Sequence, residues 1–217
     1  MRRALCISIC LAGLAALAGR AEIIDRIAVS VGNRVITESD LDREIRVTAF
    51  LNGQKPDFSP ENKRRTAERL VDQRLMRTEL DMSRFLVPSA EESDAALKEL
   101  KSRFPNDAAY RHGLAEYGIR EDDLKARLAW QLTLVRFIDV RFRAGIQIGD
   151  EEIRNYFNEH VRPILEKTHP GQPVSLDDYR DRVEQTLTGE AADQQAEQWL
   201  KRARSRSRIV YHDEVFQ

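Results

Sequence analysis

Apolar residues alternate with polar ones at Ile27, Val29 and Val31 in the segment IDRIAVSV, and an extended Arg34-Val35-Ile36 follows Gly32-Asn33. Two extended runs about a two-residue turn predict a β-hairpin. The period then changes from two to that of a helix. Thr37-Glu38-Ser39-Asp40 supplies Thr37 or Ser39 as a cap, with Asp40 and Asp42 in a first turn facing the positive end of the dipole. This helix runs to about Leu51, where Asn52-Gly53 ends it. Ser59-Pro60-Glu61 opens the next with proline at its first position. Ala67, Val71, Leu75, Thr78, Met82 and Phe85 fall on one face of that helix before Val87-Pro88 breaks it. Ser89-Ala90-Glu91-Glu92 is a capping box for a third helix burying Leu97 and Leu100, and Pro105-Asn106 breaks the chain again. A short helix over Asp107 to Tyr117 stops at Gly118, the expected left-handed cap.

The pattern predicts the longest helix over Arg120 to about Arg143, roughly 36 Å at 1.5 Å per residue. Leu124, Leu128, Leu132, Val135 and Phe142 make one stripe; Trp130, Leu134 and Phe137 make a second about a quarter-turn away. A helix apolar on two stripes is either central to the core or leaves one side open to a ligand, and the pattern admits both. Beyond a link at Gly145 to Gly149, Asp150-Glu151-Glu152 starts a helix through Tyr156, Phe157 and Val161, and HPGQP at 169–173 is a loop. A last helical stretch begins at Ser175-Leu176-Asp177-Asp178 and carries Val183, Leu187, Ala196, Trp199 and Leu200, with Gly189 interrupting its middle. SRIVY at 207–211 alternates like a strand, and the N-terminal hairpin is its natural partner. The expected fold class is mainly α: a multi-helix body with a small antiparallel sheet made by the hairpin and the C-terminal strand.

Arg2 and Arg3, the apolar run Ala4 to Ala18, and the small-residue site Ala16-Leu17-Ala18 predict a secretory signal peptide over residues 1–18. The competing reading is a membrane anchor, but fifteen residues give about 22 Å of helix, short of a ~30 Å hydrocarbon core. Cleavage removes Cys6 and Cys10, leaving no thiol, disulfide or thiolate metal site. With 35 basic and 36 acidic residues among 217, the chain lacks the basic excess of a nucleic-acid binder. No later segment approaches eighteen apolar residues, so stable membrane insertion is not expected.

Reactive chemistry is sparse. His112, His160, His169 and His212 have no metal-ligand spacing, and neither a nucleophile elbow nor a phosphate-binding loop occurs. Carboxylates gather at helix starts, as in Glu121-Asp122-Asp123 and Asp150-Glu151-Glu152, where capping and solvation account for them. Arg202, Arg204, Arg206 and Arg208 alternate with neutral residues. They suit nucleic acid or anionic lipid, or a charged sheet edge that resists aggregation. The reading adopted is the edge. No metal, cofactor or catalytic residue is expected.

The segment IDRIAVSVGNRVITESDLDR at 24–43 resembles the opening of the SurA-type periplasmic chaperones through Ile27, Ala28, Val31, Asn33, Val35, Ile36, Thr37, Ser39, Asp40 and Leu41. The pattern from Leu70 to Met76, Phe104 with Tyr117 to Leu124, IGDEEIRNYFNEH at 148–160, and Trp199-Leu200 with SRIVY are similar to later parts of that family in the same order. The resemblance spans nearly all of the chain after the signal. One part is missing: such proteins usually carry parvulin prolyl-isomerase domains after the position of His160, each on the order of 90 residues, and only fifteen residues separate His160 from Leu176. The resemblance therefore implies a chaperone body over 22–217, with an N-terminal helical part at 22–145, a linker at 146–175 where the isomerase would be inserted, and a returning helix and strand at 176–217. It implies a periplasmic, ATP-independent holdase, not an enzyme, whose partners are unfolded outer-membrane or secreted proteins. Met76, Met82, Trp130, Leu134 and Phe137 are the candidate peptide-binding residues, and each also suits the core. The alternatives are an assembly partner of one envelope complex, a degenerate prolyl isomerase, and a homodimer exchanging its C-terminal helix and strand.

Overall fold

A computed structural model of the chain describes residues 25–83 and 87–217. The expected signal peptide, with Cys6 and Cys10, and Phe85 lie outside the described residues. Strands β1 (Ile27–Val31) and β2 (Arg34–Thr37) form the hairpin, and β3 (Ile209–Tyr211) adds to the other side of β1. All pairing is antiparallel, in the order β2-β1-β3, and Ser30 stands opposite both Val35 and Val210. The hairpin, its C-terminal partner strand and the mainly α character are as the alternation and helical periods predict.

The helices are α1 (Glu38–Asn52), α2 (Pro60–Ser83), α3 (Ala90–Lys101), α4 (Asp107–Tyr117), α5 (Glu121–Arg141), α6 (Asp150–Tyr156), α7 (Arg162–Thr168) and α8 (Arg180–Arg206). Thr37 caps α1 in a reciprocal box with Asp40, and Ser89 does the same for α3 with Glu92. Gly53 and Gly118 end α1 and α4 with φ of 63° and 62°. At Gly118 the left-handed backbone is reinforced by crowding: a β-carbon there would lie 2.8 Å from Arg46 Nη1.

Four apolar clusters hold these elements. The inner face of the sheet packs Ala28, Val29, Val31 and Ile36 on Leu41 of α1, on Ala67, Val71 and Leu75 of α2, and on Val215 near the C-terminus. Val47 and Phe50 of α1 meet Leu97, Leu100, Tyr110 and Leu124, tying α1 to α3, α4 and the start of α5. Here Phe50 lies 5.7 Å from the Phe104 ring and edge-on to Tyr117 at 5.4 Å. A third cluster joins α2, α5 and α8, and a fourth packs Ile153 and Phe157 on Val183 and Leu187 of α8. Helix α8 thus bridges the body and the segment after Gly149.

Several expectations are corrected. The longest described helix is α8, with 27 residues, whereas α5 has 21. The buried line of α2 runs Ala67, Val71, Leu75, Met76, Leu80, leaving Thr78 and Met82 outside. The helix faces the sheet first and α5 with α8 later, so its buried stripe shifts around its axis. Val135 in the first stripe of α5 is 60% exposed, because α2 and α8 cover the side bearing Trp130 and Phe137. Ser175 to Tyr179 forms a turn before α8, and Gly189 does not break that helix. The arginine run is not a sheet edge: α8 continues to Arg206, and Arg204 donates Nε to Asp72 of α2 at 2.7 Å. A helical period places Arg204 over α2, whereas a strand would have projected it sideways. The π-helical turn Phe157–Val161 joins α6 to α7, so helix occupies much of the expected linker.

Candidate functional site

Four of the five candidate side chains converge. Met76, Trp130 and Phe137 are buried, Leu134 packs beside them, and all belong to the α2–α5–α8 cluster. Phe137 is 2% exposed and meets Phe142 at 5.7 Å and Trp199 at 5.8 Å, both edge-on. These groups form core, not an open patch. Met82 stands apart at 71% exposure, near the end of α2.

Trp130 has a second role, because it also lines a trench of about 310 Å³ between α1, α2 and α5. Each helix lends one face at helical spacing: Asp40, Arg43, Glu44 and Val47 from α1; Leu70, Gln73, Arg74 and Arg77 from α2; Asp123, Ala126, Arg127 and Trp130 from α5. Ile36 of β2 completes the lining. The walls on α1 and α5 neutralise each other. Arg127 donates to Glu44 at 2.7 Å, and Arg43 bridges Asp40 at 3.0 Å and Asp123 at 3.5 Å. The Arg127 Nε is buried and has no hydrogen-bond partner.

The α2 wall is different. Arg74 donates to the Val35 carbonyl at 3.1 Å, and the Arg77 guanidinium lies 4.3 Å from the centre of the Trp130 ring. Asp81, one turn beyond Arg77, is engaged by Arg34 at 3.0 Å. Arg77 is exposed at the rim, but burial of its inner side, and then the neighbouring charges of Arg74 and Arg34, hold its pKa below the usual arginine range. It stays protonated at any physiological pH. The trench thus combines an apolar floor with two guanidinium groups that meet no carboxylate in the pairs formed.

The histidines are dispersed. His112 is on α4, His160 packs beside Tyr156 at 4.8 Å, His169 contacts Thr168, and His212 lies 3.2 Å from Ser30 Oγ. Among the described residues no group of three or more His, Cys, Asp or Glu side chains is placed to hold a metal ion, and no helix is long and apolar enough to cross a membrane.

Comparison with protein-family models and with curated proteins finds no match. Sequence reasoning missed Arg74 and Arg77 because arginines on a charged helix look like solvated surface. Their signal was a pair three residues apart with no acid three or four positions before either and one, Asp81, four positions after Arg77.

Proposed function

We propose that the protein is a SurA-type periplasmic holdase that shields unfolded outer-membrane or secreted proteins without ATP. One observation supports this reading most: large apolar side chains stand on the outside of the body, several of them beside ion pairs. Met82, Val87, Val135, Val140 and Ile164 are 60 to 71% exposed. Val135 adjoins Arg136, which pairs with Glu92, and Val140 lies between Asp139 and Arg141, which pair with Arg143 and Glu79. Such islands can touch the alternating apolar strands of a barrel protein while the charged surroundings keep the complex dispersed. Covering the rest of one such valine is worth about 1–2 kcal/mol. Several contacts of that size bind many sequences weakly and release them without nucleotide hydrolysis.

A second reading, assembly onto one folded partner or a second copy, rests on the outer face of the sheet. Val35 and Val210 flank Ser30 in register there and are 43% and 38% exposed. The test is light scattering as a denatured barrel protein is diluted from urea. Suppression across several unrelated clients supports the holdase. No suppression at several-fold molar excess, together with capture of one stoichiometric partner, refutes it. A proline-limited refolding assay, against an uncatalysed step of tens of seconds, excludes residual isomerase activity if the rate is unchanged.

A further inference from the structure

We propose that the α2 wall of the trench is a binding site for a carboxylate carried on an apolar body. The inference stands on the trench alone and does not depend on the holdase reading. Its first support is charge placement. Four arginines and three acids line the cavity, and the acids are already engaged on the α1 and α5 side. The positive charge left over sits on Arg74 and Arg77, one helical turn apart on the same face; Asp81, one turn beyond Arg77 and paired with Arg34, offsets only part of it.

The second support is unused hydrogen-bonding capacity. A guanidinium has five N–H donors in a rigid fork that matches a carboxylate. Arg74 directs one bond to the Val35 carbonyl, and Arg77 presents a flat face to Trp130. The remaining donors of these two side chains are free to turn toward an anion. The third support is the floor. Trp130, Val47 and Ile36 are buried around a space of about 310 Å³, the low end of the range for small-ligand pockets. An apolar group the size of one side chain fits there with its carboxylate at the arginine rim. The same chemistry occurs in a small aromatic acid and at the C-terminus of a polypeptide.

The experiment is calorimetric titration of the full chain with phenylacetate, phenylacetamide, inorganic phosphate, and a short peptide ending in phenylalanine as free acid and as amide. The expected result is saturable one-to-one binding of the acids, absent for both amides, with phosphate weaker. Arg74→Gln and Arg77→Gln should each weaken acid binding by about tenfold or more, the scale of a charged hydrogen bond. Arg111→Gln on α4, outside the trench, should leave it unchanged. Thermal unfolding of each variant separates lost binding from lost folding. Tighter binding of the peptide acid names a chain terminus as the source, and tighter binding of phenylacetate names a small acid; both uphold the site. Equal binding of acids and amides, tighter binding of phosphate, no binding, or full binding by folded Arg74→Gln and Arg77→Gln variants would overturn it.

Discussion

Replacing Phe137 by alanine separates core from contact surface in the residues that the sequence nominates. The ring is 2% exposed, lies at the junction of α2, α5 and α8, and is met edge-on by Phe142 at 5.7 Å and Trp199 at 5.8 Å. Removing a buried phenyl ring costs about 3–5 kcal/mol, combining lost transfer energy with the cavity left behind. The upper half of that range applies, because three helices meet here and none can close the gap without moving off another. For a body of this size about 1 kcal/mol shifts Tm by about 2–4 °C, so a loss of ~4 kcal/mol lowers Tm by about 8–16 °C. Urea unfolding of F137A should show a lower midpoint with an unchanged slope, since the surface exposed on unfolding is nearly the same. A stability within about 0.5 kcal/mol of the original chain, the range of surface substitutions, would refute the placement of Phe137 in the core.

Three further outcomes follow from other parts of the molecule. G118A should destabilise by about 1–2 kcal/mol, the cost of a left-handed backbone for a residue with a β-carbon. The added contact with Arg46 Nη1 contributes less, because that side chain can swing away, and a neutral result in urea unfolding would contradict the cap. Glu38 accepts from Lys63 at 2.8 Å and from Arg26; the Lys63 bond, set against burial, leads in holding its carboxyl below its ordinary value of 4.5. A depressed folded pKa stabilises fully above the unfolded value and is lost as pH falls through the folded one, so E38Q should be less stable than the original chain at neutral pH, with the difference vanishing once the pH lies below the folded value. A difference that persisted there would assign the effect to packing instead. The calorimetric losses expected for Arg74→Gln and Arg77→Gln stand beside these as the check on the trench.

Much of the architecture was legible because it rests on local signals. The period-two runs around Gly32-Asn33, the Thr37 and Ser89 caps and the left-handed Gly118 each leave a mark within a few residues. The partnership of β3 with the hairpin was legible for a different reason: a short strand must satisfy its backbone somewhere, and no other extended run lay in the C-terminal half. What failed depended on which neighbour covers which side. The shift of the α2 stripe from Leu75 to Met76 and Leu80, and the exposure of Val135, follow from where α8 lies, which periodicity within one helix does not encode. The arginine run misled because alternate positions suit a strand, while the interaction that matters, Arg204 with Asp72, spans 132 residues. Of the candidate site, Trp130 and Phe137 were found by size and spacing. The trench beside Trp130 was not, since its three walls come from helices distant in sequence.

The most direct measurement is client protection by the chain with V135S and V140S introduced together. Both valines are largely exposed, at 60% and 64%, so the pair should leave urea stability nearly unchanged. Light scattering of a denatured barrel protein should then show clearly weaker suppression by the variant than by the original chain at equal concentration. Equal suppression by the two, at equal stability, would contradict the claim that these outward apolar side chains carry the activity.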